Sequence, residues 1–289
     1  MTSKSSYSIR CIFQTLNELI ESTSLNPDTK ALFVQPSFSN VPIEISIVYF
    51  RAGYTPKEYP TPKHYATRIL MEQSRAIKCP TIGLHLAGSK KIQELLTKPG
   101  VLERFLCDEE RWGKGSSLDA KEIEELRESW VEMWGLDDEG GEGEEDGASK
   151  AVRRALGLVL KTQREGGGNN VFKEDIPGFI ERLPPKERKA WSAMEIIVPP
   201  PGTRTYFLRS GSSPDELESS DVSSEVGIYG WAFFGGKDKK VVEEGYAGWL
   251  AKTKVRGLNE GGVGEGFAFM DSLILVDGWT RDSGPKWTY

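Results

Sequence analysis

The chain has 289 residues, of which 38% are hydrophobic and 28% charged, a composition typical of a soluble globular protein with a substantial core. Its net charge of -6 argues against a general nucleic-acid or membrane-surface binder, because phosphate polyanions need a basic face. His64 and His85 are too few for a zinc cluster or most histidine-dependent triads. The three unevenly spaced cysteines form neither a disulfide framework nor a metal knuckle, so we expect reduced thiols in a cytoplasmic protein.

The first part of the chain alternates predicted helices and strands. Apolar residues at helical spacing predict a helix over residues 8–24. The stretches "KALFV" and "VPIEISIVYFR" predict strands because β-branched residues alternate with others. A second helix is predicted over residues 65–78, ending before the proline that follows Cys79, and another over residues 90–96. This alternation indicates an α/β layer.

The composition changes sharply in the middle of the chain. Residues 136–150, "LDDEGGEGEEDGASK", are acidic and rich in glycine, which predicts a solvated insertion loop, with a charged interaction segment as the alternative. The stretches "LGLVLK", "WSAMEIIV", "TYFLR", "SEVGIYGWAFF" and "EGFAFMDSLILV" then read as short strands joined by turns. Their β-branched and aromatic residues predict antiparallel sheets with intervening helices, so an α+β part follows the α/β part.

Three consecutive glycines lie in "LKTQREGGGNNVF", residues 160–172. Each is roughly 0.5–1 kcal/mol harder to order than alanine in a regular element. A hairpin or flexible linker is one explanation, and a loop whose N–H groups close over phosphate oxygens is the other. Lys161, at the end of a predicted strand, could neutralise a phosphate, Glu165 could hold Mg²⁺, and Asn169 and Asn170 add neutral donors. The spacing fits neither a P-loop nor a dinucleotide loop, and it favours a mobile lid over ATP.

This segment and four others carry a resemblance to a known family. "LKTQREGGGNN" is similar to the glycine-rich loop of the eukaryotic-type glutathione synthetases, which are ATP-grasp ligases. "VYFRAGYTPKEYP", "RAIKCPTIGLHLAGSKKIQ", "SEVGIYG" and "KTKVRGLNEGGVGEG" match further family segments in the family's order. Together they extend from about residue 30 to residue 276 and resemble only the C-terminal portion of the family. We expect the family's N-terminal region, which supplies further Mg²⁺ ligands and part of the dipeptide site, to be absent from this chain.

The resemblance implies a fold, a reaction and partners. Residues 1–80 would be the remnant of an α/β substrate-binding domain, and residues 81–289 an ATP-grasp domain whose antiparallel sheets sandwich ATP, with the insertion 136–150 and the lid loop 161–172. The family joins γ-glutamylcysteine to glycine through an acyl phosphate, and it uses ATP and Mg²⁺. Phosphoryl transfer of this kind depends on positioning and charge neutralisation and requires no histidine. The implied partners are small molecules and, for a full-length protein, a second copy in a homodimer.

The resemblance also implies roles for individual residues. Catalytic roles fall on Lys161, Arg51 and Lys252, and the Mg²⁺ ligand is Glu165. The nucleotide-binding residues are Lys90, Lys161, Glu165, Gly166, Gly167, Gly168, Asn169, Asn170, Met194, Glu195, Ile196, Ile197, Glu225, Lys254 and Glu260. The dipeptide-binding residues are Arg51, Ala52, Gly53, Tyr54, Lys252, Val263 and Gly264. Simpler alternatives are core packing for Met194 and Ile197, and solvation for Lys90, Glu225 and Glu260.

Some positions depart from the family's pattern. Thr162 stands where proline is usual, which changes the stiffness of the loop. Lys252 replaces an arginine and lacks the bidentate fork that suits a carboxylate. Glu265 would place negative charge near an anionic dipeptide. Two other hypotheses therefore stay open: a non-catalytic nucleotide-binding fragment or partner of a complete synthetase, and a carboxylate–amine ligase with another acceptor.

Overall fold

The computed structural model describes residues 2–4, 9–112, 117–163, 169–198, 204–207, 213, 218–235, 240–258, 263 and 268–272. The chain forms two compact units, Met1–Ile196 and Ile197–Tyr289. Helices and short strands alternate in the first unit, and a long β-hairpin dominates the second. The division after Ile196 lies inside the segment predicted to be the ATP-grasp domain, and the predicted boundary between residues 80 and 81 stays a prediction.

The beginning of the first unit combines short strands with two helices. Its elements are β1 (Thr2–Lys4), β2 (Arg10–Ile12), α1 (Leu16–Ser22), β3 (Thr23–Leu25), β4 (Leu32–Val34), β5 (Ile43–Ile45), β6 (Ile47–Tyr49), α2 (Pro62–Gln73) and β7 (Ile77–Cys79). Strands β1 and β2 pair antiparallel, β3, β4 and β5 form an antiparallel sheet in that order, and β6 runs parallel to β7. Leu32, Phe50, Met71 and Ala76 form the buried cluster beneath these elements.

Both helices of this part differ from the sequence prediction in where they begin. Helix α1 begins at Leu16 rather than at residue 8, because the Thr15 hydroxyl accepts from the Glu18 N–H while the Glu18 carboxylate accepts from the Thr15 N–H. This capping box fixes the helix start, and Arg10–Ile12 is a strand instead. Helix α2 begins at Pro62, a residue that suits a first helical turn because it needs no N–H partner there.

The rest of the first unit packs helices on an antiparallel sheet. Its helices are α3 (Ile82–Ala87), α4 (Lys90–Thr97), α5 (Glu103–Leu106), α6 (Glu109–Trp112), α7 (Ala120–Glu128), α8 (Gly147–Arg153) and α9 (Asp175–Arg182). Its strands are β8 (Met133–Gly135), β9 (Leu158–Thr162), β10 (Val171–Phe172) and β11 (Trp191–Glu195), which lie in the order β10-β9-β11-β8. Residues from α8, α9 and the sheet share one buried cluster that includes Leu158, Leu160, Ile176 and Ala193, each 0% exposed. The helix predicted over residues 90–96 is confirmed as α4.

The predicted insertion loop, residues 136–150, is shorter than expected. Leu136 is only 1% exposed, and helix α8 begins at Gly147, so both ends of the segment belong to the packed structure. Asp146 caps the helix by accepting from the Ala148 and Ser149 N–H groups. The Trp134 indole donates to the Gly147 carbonyl at 2.9 Å and ties the helix start to β8. Composition suggested a loop because the capping carboxylate and the small helix residues look like loop residues.

The second unit is built on a twisted antiparallel ribbon. Its strands are β12 (Arg204–Phe207), β13 (Glu218–Gly235), β14 (Lys240–Val255) and β15 (Phe269–Asp271), in that order across the sheet. The β13–β14 pairing shifts register between Tyr229 and Gly230 and again between Phe233 and Phe234. Such irregularities increase the local twist of a long ribbon. Strand β15 lies within the predicted strand "EGFAFMDSLILV", whose last four residues are outside the described residues.

Candidate functional site

Lys161 lies near the end of strand β9, where the sheet gives way to the glycine-rich segment. Its neighbour Leu160 is completely buried, and Lys161 itself is half-buried. In the antiparallel register Lys161 is opposite Ser192 of β11, so the two side chains share one face of the sheet. The strand therefore holds the base of this lysine at a fixed place on a packed core.

The glycine-rich segment itself is only partly described. Asn169 and Asn170 are half-buried and lead directly into β10, which pairs with β9. Glu165, Gly166, Gly167 and Gly168 lie outside the described residues, and so do Glu260 and Gly264. The ends of the predicted lid are therefore anchored on adjacent strands. The predicted roles of its central residues stay predictions.

Gln163 connects the base of this segment to helix α4, a link that the sequence analysis did not find. Its side-chain oxygen accepts from the Lys91 N–H at 2.8 Å, at the helix start that carries Lys90. Its amide nitrogen is buried and makes no hydrogen bond with any residue that the structure describes. The Lys90 ammonium donates to Gln93 at 2.8 Å within the same helix. Side chains two residues apart in a strand lie on the same face of the sheet. Because Gln163 follows Lys161 by two residues, this rule could have placed the two side chains on one face.

A charge cluster with one buried carboxylate lies between α4 and the sheet. Glu94 is 2% exposed and accepts from the Ser192 hydroxyl at 2.6 Å and from the Lys91 ammonium at 3.0 Å. Lys91 also pairs with Asp137 at 2.7 Å. Burial alone would lower the pKa of Lys91, but its hydrogen bonds to Asp137 and Glu94 outweigh that effect and raise the pKa. The cluster fixes α4 against the strand that faces Lys161, and the sequence analysis missed it because its members are distant in sequence.

Four of the predicted nucleotide-binding residues, Met194 to Ile197, lie at the end of β11 and directly after it. Met194 and Glu195 are the last residues of the strand and are half-buried. The Glu195 carboxylate pairs with Arg154 and accepts from the Glu132 N–H, so it has partners within the first unit. Ile196 donates its N–H to the Gly157 carbonyl at 2.9 Å, and Ile197 is 67% exposed. Of these side chains, Ile197 is the one that solvent reaches most openly, which argues against the alternative of core packing for this residue.

Residues 50–59, which we call the FRAGY loop, connect β6 to α2. Arg51 and Ala52 are exposed, whereas Gly53 is buried at a φ of 88°. A Cβ at Gly53 would lie 2.5 Å from the Tyr59 hydroxyl, so a larger residue would displace the Tyr59 side chain, and the positive φ independently favours glycine. The Tyr54 hydroxyl donates to the Phe50 carbonyl at 2.7 Å and closes the loop on itself.

The base of the FRAGY loop lies on a buried cation. Arg68 of α2 is 5% exposed, and its guanidinium carbon is 3.5 Å from the centroid of the Phe50 ring. The same guanidinium donates to Glu72 at 2.9 Å. The Tyr54 ring meets His85 edge-on, with centroids 5.4 Å apart. These contacts give the loop a defined conformation on the first unit.

The second unit brings two of the predicted site residues together. Lys252 of β14 lies opposite Glu225 of β13, and their charged groups are 3.0 Å apart. The side chain of Glu225 is 74% exposed and that of Lys252 28% exposed. Lys254 is half-buried and lies two residues along β14, so it shares a strand face with Lys252. Val263, 40% exposed, is the remaining predicted dipeptide contact that the structure describes.

The described residues do not provide a metal site. Across them, no group of three or more histidine, cysteine or carboxylate side chains could hold a metal ion. The predicted ligand, Glu165, is outside this part of the chain. Among the helices that the structure describes, none is long and apolar enough to cross a bilayer.

The sequence was compared with known families and proteins. The family model for the eukaryotic glutathione synthase ATP-binding domain matches residues 3–275. A glutathione synthetase large chain from Schizosaccharomyces pombe is 37% identical over 262 residues, which cover 91% of this chain and 48% of that protein. A chloroplastic glutathione synthetase from Solanum lycopersicum is 40% identical over 80% of this chain and 39% of that protein. The human glutathione synthetase is 34% identical over 93% of this chain and 51% of that protein.

A solved structure shows the same fold. A glutathione synthetase-like effector from Globodera pallida, in its apo form, aligns with 94% of this chain and 50% of its own, with a TM-score of 0.60 and 21% sequence identity. The shared fold has mixed helices and strands with antiparallel sheets. The chain spans about half the length, or less, of the curated relatives described above.

Proposed function

Because the chain belongs to the family of eukaryotic glutathione synthase ATP-binding domains, we propose that it is a glutathione synthetase-type ligase. It joins γ-glutamylcysteine to glycine and converts ATP to ADP and phosphate. ATP lies in an ATP-grasp arrangement, with antiparallel sheets around the nucleotide. The observation that carries the proposal is the anchored position of Lys161, with Gln163 tying the adjoining segment to the start of α4.

The reaction needs charge neutralisation more than acid–base chemistry. A carboxylate oxygen of the dipeptide attacks the γ-phosphorus of ATP and ADP leaves, which gives an acyl phosphate. The amine nitrogen of glycine then attacks the acyl carbon, phosphate leaves, and the nitrogen loses a proton. Lys161 stabilises the negative charge of the phosphate oxygens as a point charge on a rigid strand. Lys90, which begins α4, is proposed as the second lysine for the nucleotide.

The FRAGY loop is proposed to bind the dipeptide. Arg51 is exposed, and no ion pair joins it to any residue that the structure describes. A guanidinium of this kind can form two parallel hydrogen bonds with a substrate carboxylate. The glycine-rich segment after Lys161 is proposed to close over the nucleotide, which would keep water from the acyl phosphate.

The proposal also includes the bound metal ion, the oligomeric state and the cellular compartment of the protein. Mg²⁺ neutralises phosphate charge when it is bound, and Glu165 is its proposed protein ligand. A homodimer in the cytoplasm is proposed from the family resemblance, although some relatives in this family are chloroplastic proteins. Light scattering of the purified chain would decide between monomer and dimer. Fractionation of cells that express the tagged protein would decide its compartment.

The activity can be tested by release of phosphate from the 289-residue chain. We expect release only when ATP, Mg²⁺, γ-glutamylcysteine and glycine are all present, with glutathione formed in equal amount. Omission of each component in turn is the control. Phosphate release that does not depend on the dipeptide would contradict the proposed ligase. Serine or β-alanine in place of glycine tests whether the acceptor differs.

One contact favours a second candidate function, a nucleotide-binding chain that does not turn over the dipeptide. Lys252, predicted to bind the dipeptide carboxylate, is already paired with Glu225 at 3.0 Å. The Glu225 carboxylate therefore competes with a substrate carboxylate for Lys252. Because the Glu225 side chain is 74% exposed, the ion pair itself contributes little energy. Calorimetry distinguishes the two functions: this candidate predicts binding of Mg-ADP, no binding of the dipeptide and no turnover.

A further inference from the structure

The FRAGY loop contains an internal anion at its centre. The Glu58 carboxylate accepts from the Gly53 N–H at 2.8 Å through one oxygen, and from the Tyr54 and Thr55 N–H groups at 2.8 and 2.9 Å through the other. Three consecutive backbone donors therefore converge on one side chain. Such charge-assisted hydrogen bonds are about twice as strong as neutral ones.

Two further contacts close the loop around this carboxylate. The Tyr59 hydroxyl donates to the Gly53 carbonyl at 3.1 Å, and the Tyr54 hydroxyl donates to the Phe50 carbonyl. The left-handed conformation of Gly53 turns its N–H toward Glu58. Glycine, tyrosine and glutamate thus satisfy each other's polar groups inside a loop of ten residues.

The loop presents its other side to solvent. Arg51 and Ala52 are exposed, while Gly53 next to them is buried. An arginine on an unrestrained loop would lose backbone freedom as well as side-chain freedom when it binds a ligand. With the backbone after it already fixed by Glu58, only the arginine side chain has to be ordered.

Glu58 is charged in this environment. Burial raises the pKa of its carboxyl group, but the hydrogen bonds from Gly53, Thr55 and Tyr54 outweigh burial and lower the pKa below its ordinary value. The carboxylate therefore stays an acceptor at neutral pH and does not need a metal or a cation to balance it.

We propose that Glu58 is a positioning residue that fixes the FRAGY loop in the conformation in which Arg51 and Tyr54 receive the dipeptide. This inference rests on the proposed function, because the dipeptide is the ligand that the loop receives. It assigns Glu58 no contact with substrate; its role is exerted through the Gly53–Thr55 backbone. Thr55 and Glu58 form a capping box that begins the 3₁₀ turn Pro56–Glu58, as Thr15 and Glu18 do for helix α1. Glu58 differs from Glu18 because it also accepts from the N–H groups of Gly53 and Tyr54.

The test compares two matched substitutions in the 289-residue chain. Glu58→Gln removes the charge and turns an amide group toward the loop N–H groups, and Glu18→Gln makes the same change at the α1 capping box. Titration calorimetry with γ-glutamylcysteine, in the presence of Mg-ADP, measures dipeptide affinity for each variant. We expect Glu58→Gln to weaken dipeptide binding by about tenfold or more, since a hydrogen bond to a charged group is lost.

Three further readouts separate positioning from general stability. Mg-ADP affinity should be the same in Glu58→Gln, Glu18→Gln and the unchanged chain. Glu58→Asp, which keeps the charge on a shorter side chain, should recover part of the dipeptide affinity. Amide hydrogen exchange should show protected Gly53, Tyr54 and Thr55 N–H groups that lose protection in Glu58→Gln and keep it in Glu18→Gln.

Each contrary outcome has a distinct meaning. If Glu58→Gln binds the dipeptide as tightly as the unchanged chain, or more tightly, the positioning role is overturned, and tighter binding identifies Glu58 as a competitor for the site. If the unchanged chain binds Mg-ADP but not the dipeptide, the proposed substrate is wrong. The positioning role then fails with it, and lost amide protection in Glu58→Gln marks Glu58 as a structural residue only.

Discussion

The two four-stranded sheets of this chain both contain large apolar residues, but those residues have very different surroundings. Leu158 and Leu160 of β9 are 0% exposed because helices α8 and α9 share a buried cluster with their sheet. On the β13–β14 hairpin, Ile228 is 70% exposed and Trp249 49% exposed. Both sets are β-branched, leucine or aromatic residues that favour strands. Strand propensity is therefore enough to form a strand, whereas burial of its side chains needs another element that covers them.

Two lysines of the candidate site, Lys161 and Lys252, differ in the same way as the two sheets that carry them. Lys161 extends from a strand whose neighbouring residues are buried, next to a cluster in which Glu94 and Ser192 hold α4 in place. Lys252 lies on the exposed hairpin and is paired with a glutamate on the adjacent strand. A cation on a packed sheet keeps its position when a phosphate arrives. The pair of Lys252 with Glu225 contributes little to stability, because solvent screens exposed charges.

The largest expected difference between the two sheets is in stability. Leu160→Ala should lower the free energy of unfolding by about 2–5 kcal/mol, because it leaves a cavity among completely buried residues. Ile228→Ala on the hairpin should change it by less than about 0.5 kcal/mol. Urea unfolding followed by circular dichroism measures both. Equal effects would show that the hairpin residue is covered in solution.

The next effect concerns nucleotide affinity. Lys161→Met should weaken Mg-ADP binding roughly 10- to 100-fold, because a charge-assisted contact with phosphate is lost. Lys121→Met, a change of the same kind at an exposed lysine of α7 whose side chain is 82% exposed, is the matched control. Calorimetry gives both dissociation constants. An unchanged affinity in Lys161→Met would remove the central residue from the proposed nucleotide site.

A smaller effect is expected from a surface pair beside the packed sheet. Hydrogen bonds from Lys150, and then from Arg154, lower the pKa of Glu132 below its ordinary value of 4.5, against the opposing effect of burial. Because the folded-state pKa is the lower one, this stabilisation is present above about pH 4.5 and is lost as the pH falls through the folded-state value. Glu132 is 43% exposed in its side chain, so we expect at most about 1 kcal/mol.

The measurement for this pair is the free energy of urea unfolding at a series of pH values. Glu132→Gln should flatten the curve below pH 4.5, while Glu124→Gln, at an exposed position of α7, should leave it unchanged. A curve of unchanged shape in Glu132→Gln would show that other carboxylates cause the loss of stability in acid.

The smallest effect is expected on the hairpin. Glu225→Gln removes the cross-strand partner of Lys252 and should lower stability by only about 0.2–1 kcal/mol. The difference should shrink further in 1 M salt, where exposed charges are screened. Glu243→Gln, at an exposed position of the same hairpin, is the control in urea unfolding. A larger loss that salt does not reduce would mean that the pair is shielded from solvent.

The sequence predicted the strands better than the limits of the helices. The alternation in "VPIEISIVYFR" gave β5 and β6, and "LGLVLK" and "WSAMEIIV" gave β9 and β11. Helix α1 began eight residues later than predicted, since apolar spacing continues through β2 and only the Thr15–Glu18 cap marks the start. Asp146 was taken for a loop residue for the same reason: a helix cap has the composition of a loop.

For the candidate site, the residue types could be read from the sequence, but the contacts between distant residues could not. Lys161, Arg51 and the glycine run were visible as residue types in a recognisable order, and the family match supports that order. The contacts of Gln163 with Lys91 and of Ser192 with Glu94 could not be found by pattern, because the partners are 72 and 98 residues apart in the chain. Such contacts exist only after α4 has packed on the sheet.

Residue types and their order were enough to identify the family, the strand-forming segments and the charged side chains near the glycine run. This was possible because residue type and short-range period are local properties. The folded chain was needed to show that Lys161 extends from a strand of a packed sheet, that Lys252 is paired with Glu225, and that Glu58 accepts from three backbone N–H groups of the FRAGY loop. The burial of a side chain and its hydrogen-bond partners depend on which helices and strands come into contact. Packing between these elements determines that, and it is not a local property of the sequence.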